Sequence, residues 1–65
     1  MNINEAFDKM LQGNKITHEY FSDDEYLYID DDNVIKDEQG YYFEDGWESR
    51  LNDKLFYLGW SVKNE

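Results

Sequence analysis

Between residues 19 and 48 the chain interleaves carboxylates with aromatic rings, and any fold it adopts has to accommodate both. Twelve acids fall there (Glu19, Asp23, Asp24, Glu25, Asp30, Asp31, Asp32, Asp37, Glu38, Glu44, Asp45 and Glu48) against one base, Lys36, a local charge of −11. The rest of the chain carries four acids and five bases, a balance of +1 that recovers the net charge of −10. The acidity is therefore regional. An acidic disordered tail is poor in aromatics, whereas Tyr20, Phe21, Tyr26, Tyr28, Tyr41, Tyr42, Phe43 and Trp47 stand among these carboxylates. A folded scaffold is expected to hold the charges.

Size sets the next limit. A 65-residue chain is one domain, and at this length folding buries only about 60% of the surface of the unfolded chain. Small domains usually supplement such a core with disulfides, a metal or oligomerisation. With no cysteine and one histidine, His18, neither a disulfide nor a zinc site is expected, which leaves large aromatics and a homo-oligomer. No apolar run long enough to span a bilayer and no signal-peptide pattern is found, so a cytoplasmic protein is expected. Charge this far from zero repels nucleic acid and anionic membranes and attracts basic surfaces. A basic protein is the natural partner.

In chain order, Ile3, Ala6, Phe7, Met10 and Leu11 fall at i, i+3, i+4, i+7 and i+8, the stripe of an amphipathic helix. Asn2 and Glu5 form a capping-box pattern and Gly13 suits the C-terminal end, so a helix is predicted over residues 3–12. Lys15, Ile16 and Thr17 lead into a short strand. Residues 25–30 alternate, with Leu27 and Ile29 on one face and Tyr26, Tyr28 and Asp30 on the other. Turn chemistry at Asp31, Asp32 and Asn33 precedes a strand beginning at Val34 and Ile35; a second turn at residues 37–40 precedes a strand at Tyr41, Tyr42 and Phe43. Asp45 and Gly46 read as the break after it. Asn52 can cap a helical turn over residues 53–57 that buries Leu55, Phe56 or Leu58, and Gly59 introduces a last strand at Trp60, Ser61 and Val62. These elements predict one α+β domain: an N-terminal helix, a small antiparallel meander and a short helical turn before the last strand. Trp60 is assigned to the core, and Trp47 stands between core and interface. His18 is read as a surface or partly buried structural residue.

Several of these segments together carry a family likeness: Ile3-Asn4-Glu5-Ala6-Phe7, Gly13, Lys15-Ile16, Tyr26-Leu27-Tyr28-Ile29 and Gly59-Trp60-Ser61-Val62. Over these two ends, about half its length, the chain resembles the Thoeris anti-defence family of short phage proteins. The resemblance implies a phage-encoded counter-defence protein, with relatives that sequester a nucleotide signal and others that inhibit CRISPR nucleases. Sequestering a phosphorylated signal requires Arg, Lys or backbone N–H donors. Thr17-His18-Glu19 stand here where basic residues are expected.

The acids themselves admit three uses. A solvated face is the simplest, but solubility needs a net charge of magnitude only about 2–8 with mixed signs, and a one-sign field costs stability. Metal binding is the second. An EF-hand loop needs oxygen ligands at positions 1, 3 and 5 and glycine at 6; started at Asp30 it meets Val34 and Ile35, and started at Asp31 it meets Ile35 and Lys36. The third is nucleic-acid mimicry, in which fixed carboxylates present the field of a duplex, one charge per about 1.7 Å of axis, to Lys and Arg arrays. A CRISPR nuclease offers such an array. Catalysis is not expected, because paired carboxylates need a cleft that separates their pKa values. The partner-binding set is then Asp23, Asp24, Glu25, Tyr26, Tyr28, Asp30, Asp31, Asp32, Asp37, Glu38, Glu44, Asp45 and Glu48, with no cofactor and no metal. Exchange of Asp30, Asp31 and Asp32 for Asn is expected to weaken binding and leave the fold intact.

Overall fold

The structure, a computed structural model, describes residues 1–63. Helix α1 (Ile3–Leu11) leads to strand β1 (Lys15–His18), followed by β2 (Leu27–Ile29), β3 (Ile35–Asp37), helix α2 (Glu44–Leu51), a 3₁₀ turn (Lys54–Phe56) and β4 (Trp60–Lys63). The four strands form an antiparallel sheet in the order β3-β2-β1-β4. The first three are a meander, and β4 returns to pair with β1 along its whole length, Lys15 opposite Lys63 and His18 opposite Trp60.

The register sorts the side chains. Ile16, His18, Leu27, Ile35 and Trp60 share the inner face and are buried with Ile3, Ala6, Met10 and Trp47. Lys15, Thr17, Tyr28, Lys36, Ser61 and Lys63 occupy the outer face, as period-two alternation requires. Helix α1 lies on the inner face across β1, β2 and β4, and α2 sits on β3. The capping box forms as expected: Asn2 accepts from the Glu5 N–H at 2.8 Å and Glu5 accepts from the Asn2 N–H at 2.9 Å. Such a pair satisfies two of the helix's orphan donors. Gly13, at φ 95°, supplies the left-handed residue that ends α1.

The second half departs from the sequence reading. The strand expected at Tyr41, Tyr42 and Phe43 reduces to a single bridge between Tyr42 and Lys36, and the presumed break at Asp45 and Gly46 is the first turn of α2. Gly46 disguises that turn, and the structure shows why it is glycine. A Cβ there would lie 2.8 Å from Cζ of Phe43, whose ring folds over the turn. Asp53, not Asn52, caps the 3₁₀ turn by accepting from the Leu55 N–H at 3.0 Å. Of the three residues offered for burial there, Phe56 packs against the core, while Leu55 and Leu58 are exposed.

Other segments of the chain cover β3 along its edge and β4 at its first residue. On β3, Ile35 donates to the Glu44 carboxylate at 2.8 Å and accepts from the Phe43 N–H at 2.8 Å, and Asp37 donates to the Tyr41 carbonyl at 3.0 Å. On β4, Trp60 exchanges hydrogen bonds with Met1 at 3.0 and 3.3 Å. Covering an edge in this way shortens the template left for strand addition. No helix among the described residues is long and apolar enough to cross a membrane.

Candidate functional site

The acidic residues fall into separate groups, which the hairpin register locates. Leu27 faces Asp37 and Ile29 faces Ile35, so the turn with Asp30, Asp31 and Asp32 closes one end of β2–β3, while Glu25, Asp37 and Glu38 collect at the other. Asp30 lies three residues beyond Leu27, which places it about 10 Å along the strand from Asp37 at ~3.3 Å per residue. Asp23 and Asp24 are exposed on the β1–β2 loop. Glu44, Asp45 and Glu48 are carried by α2. Tyr26 and Tyr28 stand together near the outer face of the sheet, ring centroids 6.1 Å apart, with the Lys15 ammonium 4.7 Å from the Tyr26 ring.

Several of these carboxylates have local work. Asp30 accepts from the Asp32 and Val34 N–H groups at 2.9 and 3.0 Å and pairs with Lys36 at 2.7 Å. Asp37 accepts from Gln39 and Tyr41 at 2.9 and 3.0 Å, Glu25 from Ser22 at 2.7 Å, and Glu44 from Ile35. Aspartate favours such turns because its short side chain reaches backbone donors two residues on. Lys36 and the backbone donors hold the Asp30 carboxyl below its ordinary value of 3.8, and the same ion pair raises Lys36 above 10.5. Asp30 is thus built into its turn; Asn in its place would keep an Oδ1 for both backbone donors and lose the pairing with Lys36, an exposed ion pair of small weight. Asp31 and Asp32 are exposed, with side chains that make no hydrogen bond among the described residues.

At the other end, Glu25, Tyr26, Asp37 and Glu38 line a recess of about 70 Å³ together with Phe21, Leu27, Phe43 and Arg50. Arg50 makes no ion pair among the described residues. Its guanidinium lies 4.9 Å from the Phe43 and Phe56 rings and 5.8 Å from Phe21, and Nη1 donates to the Gly46 carbonyl at 3.0 Å. Aromatic faces attract a cation through their quadrupoles, so the rings hold Arg50 against the hairpin and join α2 to the sheet. Tyr41 and Tyr42, at 66% and 62% exposure, project beside this rim.

His18, read from sequence as a surface or partly buried residue, is 3% exposed and central. Nδ1 accepts from the Tyr20 N–H at 3.0 Å, so the proton sits on Nε2, which donates to the Leu58 carbonyl at 2.7 Å. Phe56, Trp60 and Tyr20 surround the ring at centroid distances of 4.6, 4.9 and 5.0 Å. Both nitrogens are thereby committed to backbone. A lone His in Thr-His-Glu-Tyr gives no sequence signal of this, since both partners are backbone groups and one is 40 residues away. No three His, Cys, Asp or Glu side chains among the described residues converge as metal ligands would.

No family model, curated protein or solved structure matches the chain.

Proposed function

We propose that this chain is a small inhibitor that presents carboxylates in place of nucleic-acid phosphates and blocks the nucleic-acid-binding surface of a host defence protein, a CRISPR effector nuclease being the target that best fits such a field. The supporting observation is the pair of acidic ends on the β2–β3 hairpin, with Asp30 and Asp37 each immobilised by two backbone N–H groups. Along the hairpin they are about 10 Å apart, near the rise of about three base pairs at 3.4 Å per nucleotide, with Asp30 on the side of Tyr28 and Lys36 and Asp37 on the side of Leu27. Around these fixed acids stand Asp31, Asp32 and Glu38, which carry charge without a turn to build, and the exposed rings of Tyr41 and Tyr42. Tyrosine adds contact area at low entropic cost. The terminal segments that resemble phage counter-defence proteins fit the same role.

The second reading, a sponge for a cyclic or ADP-ribose-type nucleotide, has less support within one copy of the chain. Ligand pockets for drug-sized molecules measure about 300–1,000 Å³; the recess beside Arg50 holds only about 70 Å³ and is rimmed by acids, and the larger groove of about 340 Å³ is lined by Asn4, Phe7, Ile35, Glu44, Trp47 and Leu51, with no Lys or Arg to meet a phosphate. A variant with Asp31 and Asp32 changed to Asn and Glu38 to Gln leaves the turn-building Asp30 and Asp37 untouched. In cleavage assays with a panel of purified CRISPR nucleases, the parent is expected to inhibit at least one and the triple variant to lose about tenfold or more in potency at low salt. Equal inhibition by the two would exclude the mimicry. Calorimetry with the nucleotides tests the sponge, and saturable heat would favour it.

A further inference from the structure

The two helices pack mainly on the sheet, and between them lies an open groove of about 340 Å³ lined by Asn4, Phe7, Ile35, Glu44, Trp47 and Leu51. Its floor is apolar: Ile35 and Trp47 are buried, and the Phe7 and Trp47 rings lie 6.1 Å apart. Leu51, at 49% exposure, stands at its wall. Helical period puts Asp8 and Leu11 on the Asn4–Phe7 side of α1, and Glu48 on the Glu44–Leu51 side of α2. Leu11 is 61% exposed. The groove thus has an apolar floor and acidic margins; Lys9 falls away from it by the same period, and Arg50 is turned to the recess at Glu25 and Glu38 against the Phe43 and Phe56 rings.

We propose that this groove docks a cationic amphipathic segment of the partner protein, one apolar side chain seated against Trp47 and Leu51 and flanking lysines or arginines facing Asp8, Glu44 and Glu48. The proposal rests on the partner being basic, as in the function above, and adds an apolar anchor on the helical side of the molecule. Charge selects the occupant. A second copy would bring the same acidic margins and a further net charge of −10, and like charges brought together across an interface are costly. An anionic lipid surface meets the same repulsion. Apolar anchors at i, i+3, i+4 and i+7 in a hydrophobic groove are a recurrent mode of peptide recognition.

The test uses a synthetic amidated peptide of Lys, Ala and Leu with leucines on one helical stripe, and a scrambled peptide of identical composition. Titrations at about 0.15 M salt are followed by tryptophan fluorescence and calorimetry. The striped peptide is expected to bind about tenfold or more tighter than the scrambled one, and to shift the emission, since Trp47 lines the groove. Leu51→Lys is expected to weaken it about tenfold and Glu48→Gln a few-fold. Leu11→Lys, at a more exposed position, serves as the second variant should Leu51→Lys lower the folded fraction. Equal affinity for the two peptides, or parent-like binding by both lysine variants, overturns the proposal. So does a dimer seen by sedimentation that either lysine variant dissociates, because a second copy would then fill the groove. Loss of nuclease inhibition in the acid variant, with inhibition intact in both lysine variants, would retain the mimicry and remove this docking site; the reverse pattern would retain the site and remove the mimicry.

Discussion

Between β1 and β4 the chain closes over a stack of rings: His18 against Phe56 and Trp60, Phe21 edge-on to Trp60 at 5.7 Å, and Trp60 5.3 Å from Trp47. Between β2 and β3 the contacts are of another kind. There Asp30 and Asp37 gather backbone N–H groups at either end of a hairpin of two three-residue strands, and Glu44 satisfies its open edge. One half is held by buried area, about 150–250 Å² per aromatic side chain. The other depends on charged acceptors, each such hydrogen bond contributing roughly 1.5–3 kcal/mol when shielded and less when exposed. The acids that make this protein so negative are therefore of two sorts: some fold the hairpin, and the remainder are available to a partner.

The sharpest test of that division is to remove area from the first half. Trp60→Ala should cost about 3–5 kcal/mol, which is comparable with the whole stability expected of a domain this small at roughly 0.05–0.15 kcal/mol per residue. Urea titration followed by far-UV circular dichroism should show it largely unfolded in buffer. Gly59→Ala comes next. The position has φ 100°, and a Cβ would stand 2.7 Å from Glu19 Oε2 and 2.9 Å from His18 Nε2, so a loss of more than ~1 kcal/mol is expected. Nitrogen chemical shifts of the His18 ring should move with it, and a parent-like ring spectrum would mean that His18 does not feel the Gly59 loop.

In the hairpin the effects should be smaller and selective. Asp37→Ala leaves the Gln39 and Tyr41 N–H groups without their acceptor and should cost about 1 kcal/mol, whereas Asp31→Ala should stay within about 0.5 kcal/mol. Chemical denaturation of the pair decides the matter: equal losses would erase the distinction between turn-building and available acids. Asp30 supplies a pH signature. Its folded pKa is depressed by Lys36 and the backbone donors, so its contribution is present above the unfolded value, near 3.8, and is lost as pH falls through the folded one. The Lys36 side runs the other way, its contribution present below 10.5 and lost as pH rises through the raised folded value. Melting curves of parent and Asp30→Asn should differ by a constant amount near neutrality and converge in acid, and the ion-pair part of the difference should also be lost in alkali above 10.5.

Much of the first half was legible because its signals are local. The Asn2–Glu5 box, the Ile3–Ala6–Met10 stripe and Gly13 all act within one helix, and the alternation around Leu27 reflects a sheet with one buried face. Helix α2 was not legible, for a physical reason: Trp47 is its one buried residue, so no apolar stripe marks it, and Gly46 imitates a turn while serving the Phe43 ring. The grouping of the acids was equally hidden. Nothing in the spacing of Asp30 and Asp31 reveals that the first carries two backbone donors and a lysine and the second faces solvent. The recess at Glu25, Asp37 and Glu38 depends on strand register, which only the paired strands define.

Strand order has a consequence for synthesis in the cell. Strand β1 is central, yet one of its two neighbours is the last element of the described fold, more than forty residues later, and that neighbour supplies Trp60. A nascent chain that has emerged as far as α2 owns the helix, the hairpin and most of the negative charge, but not the ring that completes the core. Residues near 63 therefore have to leave the ribosome before the domain can close, and the sheet cannot be completed strand by strand as the chain emerges.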